Sequence, residues 1–570
     1  MSDEERLMED EKAGSAGPVR DAAGVIGVLG AGTMGSGIAQ LAARSGATAL
    51  LHDPIPDALG RGLEKARDGL AKEAARGRIS AEEAQRASER LQAVDDLSAL
   101  SSCELVIEAA PERPELKREL YERLSEVVGE ECVLATNTSS LLVTAIATAA
   151  SNPRRVVGMH FFNPAPLMPL LEVVAGEESS EEALALAHAT GEAMGKTVIR
   201  AKDGPGFIVN RCNRPFGLEA LRLLQERIAD VETIDRICRM EGGFRMGPFE
   251  LMDLVGVDTG FEISKSFYEQ SFGEPRWRPS MIAARYVAAG LHGRKSGRGY
   301  YDYGGDGPKH RPEDPEPLDA GSPDHGEGVV VIAGAGVLAE ELREAATTAG
   351  YEVRSPHAPT GGVLPALVID CEGNPAPRDR ALGGFPAKPD RREAPQPQGG
   401  ARLLLCAAGS LGALDPEGSA VGFHVLPPLK DAGLVELTRS ESSSPMAAAR
   451  AERFFQALGK HFSWVEDAPG LVLGRIVCQV INESAFALGE GVGDGRDIDT
   501  GMVLGLSHPR GPLEWADAIG LDHVLTVLDA LCDEYREERY RPAPGLRRLI
   551  NAGRLGRAAG AGFFDYDPES

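Results

Sequence analysis

Val25-Ile26-Gly27-Val28-Leu29-Gly30-Ala31-Gly32-Thr33-Met34-Gly35 is the stretch that decides the fold. Five largely apolar residues predict a strand, and the segment after Thr33 has helical periodicity, so the G-x-G-x-x-G run sits at a strand-to-helix turn. There the first glycine permits the tight turn, the second lets backbone approach a pyrophosphate, and the third lets helix pack on strand. The phosphates then rest on the helix N-terminus. Further short apolar runs at 48–51, 104–109, 132–135 and 156–160, separated by helical-period segments, predict a parallel sheet covered by helices on both faces. The charged stretch 59–93, broken at Gly77, predicts a helical hairpin between the second and third strands, and its polarity predicts an arm projecting from the sheet.

Working outward, the chain repeats itself. His160 and Glu172 recur as His424 and Glu436, Asp203 as Asp467, Asp235 as Asp499, and Gly247-Pro248-Phe249-Glu250 as Gly511-Pro512-Leu513-Glu514, each pair 264 positions apart. A constant offset across unrelated residue types marks duplication. Gly30 pairs with Gly334 at an offset of 304, so most of the 40-residue difference falls where the arm lies and the second copy is expected to lack it. The expected order is a tail (1–23), an α/β domain (24–203, arm 59–93), a helical domain (204–303) with Asp230 as an N-cap, a Gly/Pro/Asp-rich linker (304–327), a second α/β unit (328–466) and a second helical domain (467–570). Residues 371–400, crowded with Pro, Arg and Gly, are expected to form a mobile loop.

With 570 residues the chain exceeds one hydrophobic core, and at roughly 100–200 residues per domain about four domains are expected. No stretch approaches the ~20 apolar residues of a membrane helix, and the acidic start has no basic or apolar leader, so a cytoplasmic protein is expected. Eight cysteines without a C-x-x-C spacing read as reduced core residues; neither disulfides nor a metal site are expected. A net charge of −26 argues against nucleic acid and anionic membranes as partners. An anionic substrate would have to be held by helix N-termini and a few Lys or Arg side chains.

Asp53 ends the second apolar run, where a carboxylate would accept hydrogen bonds from an adenosine ribose and repel a 2′-phosphate, favouring NAD over NADP. The bland alternative is a turn cap before Pro54. His160 ends the fifth run, at the carboxyl end of a strand where ligands of such sheets bind. A lone histidine beside phenylalanines is nevertheless more often a packed core residue than a catalyst.

Asn137-Thr138-Ser139-Ser140-Leu141, His160-Phe161-Phe162-Asn163-Pro164, Leu171-Glu172-Val173, Asp203-Gly204-Pro205-Gly206-Phe207-Ile208-Val209-Asn210-Arg211 and Gly293-Arg294-Lys295-Ser296-Gly297-Arg298-Gly299-Tyr300-Tyr301 together resemble the 3-hydroxyacyl-CoA dehydrogenase family. The resemblance covers nearly all of 24–303 and extends to the second helical half. It implies a Rossmann-type NAD-binding domain followed by an all-α domain, both repeated, with the second Rossmann-like unit degenerate. The doubling resembles the family's long bacterial members acting on 3-hydroxybutyryl-CoA or 3-hydroxyadipyl-CoA, some of which serve phenylacetate degradation.

The resemblance implies reversible NAD-dependent oxidation of an (S)-3-hydroxyacyl-CoA to the 3-oxoacyl-CoA. His160 would be the general base, Glu172 its orienting carboxylate, and Ser139 and Asn210 hydrogen-bond partners of the hydroxyl or nascent carbonyl. Glu112, Lys117 and Asn137 would join Gly30, Gly32, Thr33, Met34, Gly35 and Asp53 along the NAD site, with Lys117 alternatively a solvated helix face. Asn163 would lie near the thioester, and Lys72 and Arg76 would contact CoA phosphates, although Gly69 replaces a serine that some members carry in this arm. A homodimer is expected, with the second helical half packing on the first inside one chain.

The second copy has Pro427 opposite Asn163, Gly474 opposite Asn210 and Gly409 opposite Ser139, and no carboxylate near Ser355-Pro356-His357. Base and orienter without positioning groups or cofactor cannot perform the reaction, so His424 and Glu436 are expected to be a structural hydrogen-bonded pair. Leu251, Leu254 and Val255 correspond to Trp515, Ala518 and Ile519, a retained apolar framework. A non-catalytic NAD- or acyl-CoA-binding protein is the alternative reading of the whole chain.

Overall fold

Val25–Leu29 forms β1, and its neighbours are set by which apolar runs can be buried on both faces. The structure is a computed structural model, described over residues 21–304, 310–318, 326–356, 363–372, 400–416 and 418–567. Most of the expected tail, parts of the linker and nearly all of the expected 371–400 loop lie outside the described residues. The chain divides into two units: Met1–Arg211 with Gly491–Leu506, and Cys212–Glu490 with Ser507–Ser570.

In the first unit β1, β2 (Thr48–His52), β3 (Leu91–Ala93), β4 (Leu105–Glu108), β5 (Val133–Thr136), β6 (Val156–Phe161), β7 (Leu170–Ala175) and β8 (Thr197–Lys202) form one sheet of order β3-β2-β1-β4-β5-β6-β7-β8. Ile26, Val28, Leu51, Ile107, Val157 and Leu171 fill its core with Ile38 and Leu41 of the helix Thr33–Arg44; each such side chain contributes about 1.5–3 kcal/mol. The five expected runs, β1, β2, β4, β5 and β6, pair in parallel as expected, and β7, which was not among them, runs antiparallel to β6. Residues 162–169 are too few for a crossover, so the chain turns straight back. That reversal sets Glu172 opposite His160 in the register.

The arm also differs from expectation. Its helices, Pro56–Ala75 and Ala81–Arg90, follow β2 as expected. The first, however, lies along the helix Thr33–Arg44 instead of projecting, with Leu59, Gly62, Ala66, Leu70 and Glu73 buried. Small residues permit the approach: a Cβ on Gly62 would come within 2.5 Å of the Ala31 carbonyl. Glu73 accepts from Gln40 Nε2 at 2.9 Å and from Arg44 at 3.1 Å, pinning the far end.

The outer strands of this sheet are covered by the second copy. Helix Gly495–Leu506 lies on β7 and β8, its Gly501 and Gly505 against Ile199, Val209 and Leu170 with no room for a side chain. Lys202 N–H donates to the Val492 carbonyl at 2.7 Å and Arg200 N–H to Asp497 Oδ2 at 2.9 Å.

The second unit holds β9 (Val329–Ala333), β10 (Glu352–Arg354), β11 (Leu367–Asp370), β12 (Ala401–Leu405), β13 (Val421–His424), β14 (Leu434–Arg439) and β15 (His461–Trp464) in the order β10-β9-β11-β12-β13-β14-β15. This is the first sheet without β3. Only residues 355–366 separate β10 from β11, so the arm is absent. Here the exchange runs the other way: helix Val231–Met240 of the first copy lies on β14, and Glu466 N–H donates to the Ile228 carbonyl at 2.8 Å.

Within the second unit, helix Leu473–Gly489 runs along helix Arg214–Glu226, so the two helical copies do pack together. Fully buried Arg475 meets Glu219 at 2.9 Å and Glu226 at 2.7 Å and donates to the hydroxyls of Tyr535 and Tyr540. The apolar framework is kept unequally: Trp515 and Ile519 are buried, whereas Leu254 and Val255 are 46% and 50% exposed.

A fragment of residues 1–305 loses helix Gly495–Leu506 from β7–β8 and Arg475 from Glu219. It is expected to melt at least several degrees below the full chain, or to dimerise to recover those contacts, as read by thermal circular dichroism with light scattering. A monomer of undiminished Tm would refute the structural role given to the exchange.

Candidate active site

His160 leaves β6 beside the antiparallel β7, and its Nδ1 lies 2.6 Å from Glu172 Oε2. The other oxygen of Glu172 accepts the peptide N–H of Ile208 at 3.0 Å and of Val209 at 3.1 Å. Phe162 and Phe207 flank the imidazole, whose residue is 5% exposed, and Glu172 is fully buried. His160 is therefore both packed among phenylalanines and held by a carboxylate. Since the Nδ1–H donates to Glu172, Nε2 carries the free lone pair.

The turn after β1 needs its glycines. Gly30 has φ +92°, and a Cβ there would meet the Ala109 carbonyl at 2.7 Å; a Cβ on Gly35 would collide with the Gly30 carbonyl. Gly32 is exposed and nothing lies within 4 Å of where its Cβ would be. Helix Thr33–Arg44 begins with no side-chain cap and no acidic residue in its first turn, leaving N–H donors and the positive end of the dipole toward an incoming anion. A dinucleotide's pyrophosphate fits that donor set. Thr33 is exposed and Met34 half-buried at this turn.

Asp53, just past β2, accepts from Ala31 N–H at 2.9 Å through Oδ2 and from Ile55 N–H at 3.0 Å through Oδ1. It is thus both a turn cap and a carboxylate fastened to the glycine loop. Gly37, one turn into the helix, touches the loop after His160: its Cβ would lie 2.9 Å from Pro166.

Beyond β4 and β5 a buried polar cluster ties the remaining expected residues together. Lys117 is 1% exposed, which excludes a solvated helix face; its Nζ lies 2.7 Å from Glu108 Oε1 and 3.2 Å from Glu112 Oε2. Glu112 Oε1 accepts from the Thr138 hydroxyl, the Ser139 and Ser140 N–H groups at 3.2 and 3.1 Å, and the Ser140 hydroxyl at 2.9 Å. Burial alone would raise the Glu112 carboxyl, but the Lys117 charge and the Thr138 and Ser140 hydroxyls outweigh it and hold it below the usual carboxylate range. Asn137 Oδ1 accepts Phe161 N–H at 2.8 Å, joining this cluster to the His160 strand.

Not every expected residue converges. Asn210 is half-buried, next in sequence to the two N–H groups on Glu172, and Asn163 is exposed in the loop after β6. Lys72 and Arg76 are exposed along the arm. Sequence reasoning missed Glu108, which accepts from Lys117 and from the Thr136 hydroxyl at 2.8 Å; its signal was an acidic residue ending an otherwise apolar run. It also missed Lys65, whose Nζ lies 3.1 Å from Thr33 Oγ1 beside the open helix end.

In the second copy the expected His424–Glu436 hydrogen bond does not form. His424 Nδ1 is buried without a partner, while Glu436 takes the N–H groups of Val472 and Leu473 at 2.7 and 2.8 Å, one on each oxygen. The ring rests over Gly474, where any Cβ would strike it.

Comparisons with known proteins identify the family. The NAD-binding domain of 3-hydroxyacyl-CoA dehydrogenase matches residues 25–204, and the C-terminal domain of the same family matches twice, at 206–303 and 470–566. The chain is 35% identical over 531 residues to a 3-hydroxyadipyl-CoA dehydrogenase of Escherichia coli K12, covering 93% of this chain and 98% of that protein. A probable 3-hydroxybutyryl-CoA dehydrogenase of Deinococcus radiodurans is 40% identical over 277 residues, which is 49% of this chain and 99% of that protein. The crystal structure of a 3-hydroxybutyryl-CoA dehydrogenase from Escherichia coli K12 superposes with a TM-score of 0.76 at 32% identity, covering 93% of this chain and 99% of that one.

Lys117→Met removes the cation between two carboxylates. Breaking such a buried pair is expected to cost about 3–5 kcal/mol in urea unfolding. The depressed Glu112 carboxyl stabilises the fold above its unfolded value of 4.5, and that stabilisation fades as pH falls through the lower folded value. The variant should lose this acid-side dependence; a change under about 1 kcal/mol would refute the ion pair's role.

Proposed function

This chain belongs to the 3-hydroxyacyl-CoA dehydrogenase family, and from that premise we propose that His160 is the base of its reaction and that its substrate is a short-chain or dicarboxylic thioester. The activity is NAD-dependent oxidation of a 3-hydroxyacyl-CoA to the 3-oxoacyl-CoA, and its reverse. The observation that carries the assignment to His160 is the 2.6 Å contact between its Nδ1 and Glu172.

Removing two electrons from a secondary alcohol requires a proton to leave oxygen as hydride leaves carbon. Bound NAD+ supplies the hydride acceptor. His160 Nε2, with Nδ1–H committed to Glu172, takes the hydroxyl proton. Glu172 then faces an imidazolium, and its negative charge stabilises that form while its two peptide N–H bonds hold it still. In reduction the same imidazolium returns the proton. Ser139 and Asn210 hydrogen-bond the reacting oxygen, and Asn163 orients the thioester.

The glycine turn Gly30–Gly35, with Asp53, holds the NAD pyrophosphate and adenosine ribose, and Glu112, Lys117 and Asn137 line the nicotinamide side. Lys72 and Arg76 attract the CoA phosphates. The second α/β unit is degenerate and binds no NAD: Ala339 replaces the third glycine of its Gly334-Ala335-Gly336 turn, and Ser355 follows β10 where Asp53 follows β2. The full chain is a cytoplasmic homodimer. The near full-length match to a 3-hydroxyadipyl-CoA dehydrogenase supports a dicarboxylic substrate, and the half-length relative supports 3-hydroxybutyryl-CoA.

The second reading, a binding protein without turnover, is disfavoured by the oriented imidazole. His160→Ala is expected to lower kcat by roughly 10²–10⁴-fold with NAD affinity retained; unchanged turnover would refute the base assignment. NADH formation across (S)-3-hydroxybutyryl-, longer aliphatic and 3-hydroxyadipyl-CoA tests the substrate class, and a clear preference for long aliphatic chains would overturn it. Titration calorimetry is expected to find a single NAD per chain.

A further inference from the structure

The second unit keeps the register of the catalytic pair, His424 opposite Glu436, yet spends neither residue on the other. What differs is a third side chain. Glu241, at the end of the exchanged helix Val231–Met240, is brought onto Glu436. Its counterpart in the second copy, 264 positions on, is Gly505, which packs flat on Leu170 and Val209 on the first sheet's side. Glu241 is 5% exposed, and His424 and Glu436 are fully buried. Their donor atoms lie within 4.8 Å of one another.

Two of these donors have no partner. His424 Nδ1 and Glu241 Oε2 are buried without a hydrogen bond, while Glu241 Oε1 takes a long one, 3.3 Å, from Leu426 N–H. His424 Nε2 lies 3.4 Å from Nε2 of His523. Burial, and then the neighbouring charge, drives the Glu241 carboxyl well up, and burial lifts Glu436 to about 8. Two carboxyls and an imidazole packed together with no cationic side chain among the described residues hydrogen-bonded to them form an arrangement that natural cores avoid unless a proton or a cation is shared.

We propose that Glu241, His424 and Glu436 form a buried binding site for a divalent transition-metal ion, zinc foremost, that is separate from the dehydrogenase chemistry. One imidazole nitrogen and two carboxylate oxygens are a donor set for Zn²⁺ and its neighbours rather than for Mg²⁺ or Ca²⁺, which take oxygen alone. A 2+ charge cancels the two carboxylates and occupies both unpartnered donors. The ion joins helix Val231–Met240 to β13 and β14, so it braces the second unit by linking segments almost 200 positions apart. The site departs from the absence of metal expected from the sequence, where the chain's spacing hides Glu241 from the other two.

The test uses the full-length chain, stripped with chelator and returned to ZnCl₂ or CoCl₂ at pH 8. Wild type is expected to retain a single zinc per chain through gel filtration, to gain Tm on zinc addition, and to develop visible cobalt d–d bands. Glu241→Gln and, separately, His424→Gln, each checked by circular dichroism, should lower zinc retention at least about tenfold and abolish the cobalt bands, since losing one of three ligands removes the set. Zinc retention by wild type no greater than by Glu241→Gln, or no Tm response, would overturn the proposal and leave a carboxyl pair sharing a proton.

Discussion

Everything at the active site hangs on the Glu172 carboxylate. Buried fully, it would be costly unless both oxygens were satisfied, and they are: one by the imidazole of His160, the other by the N–H groups of Ile208 and Val209. The same atoms thus fix the tautomer of His160 and seat the segment that follows β8. The short 162–169 connection turns β7 back on β6, and the resulting antiparallel register sets residue 172 directly across from residue 160.

Comparison of the copies separates folding from chemistry. Glu436 still grips Val472 and Leu473 as Glu172 grips Ile208 and Val209. Asp203 takes the N–H groups of Val143 and Thr144, and Asp467 those of Leu411 and Gly412. Asp253 receives Tyr300, Tyr301 and the Tyr303 hydroxyl, and Asp517 receives Phe563, Phe564 and the Tyr566 hydroxyl. These retained carboxylates serve backbone. The imidazole, by contrast, keeps its place in the sequence but not its partner, because Gly474 offers it space where Asn210 stands in the first copy and Glu241 arrives beside Glu436. The carboxylate's hold on peptide N–H groups outlasts its hold on histidine.

Much of this was legible from residues close in the chain or repeated at a fixed interval. The strand, turn and helix around Gly30 follow from local pattern, and the His160–Glu172 pair from its motif and its recurrence. What escaped was set by distant packing. The arm reads as a polar projection because its charges dominate its composition, yet the narrow stripe Leu59, Gly62, Ala66, Leu70 recurs at helical spacing and lays it against the first helix. Lys117 keeps a solvated helix face as its alternative reading until β4 brings Glu108 beneath it. The loss of the His424–Glu436 bond was invisible, since the disturbing residue lies on a helix belonging, by sequence, to the other copy.

The charge balance completes the argument. A chain of net −26 repels a polyanionic thioester and a dinucleotide at long range, so attraction must be local. Lys117 cannot supply it, because Glu108 and Glu112 already more than neutralise it. What remains near the glycine turn is directional: an uncapped helix end with no acid in its first turn, and Lys65 held at Thr33 by a neighbouring helix. The docking of the arm against the first helix therefore has an electrostatic consequence as well as a packing one, for a freely projecting arm would carry Lys65 away from that helix end.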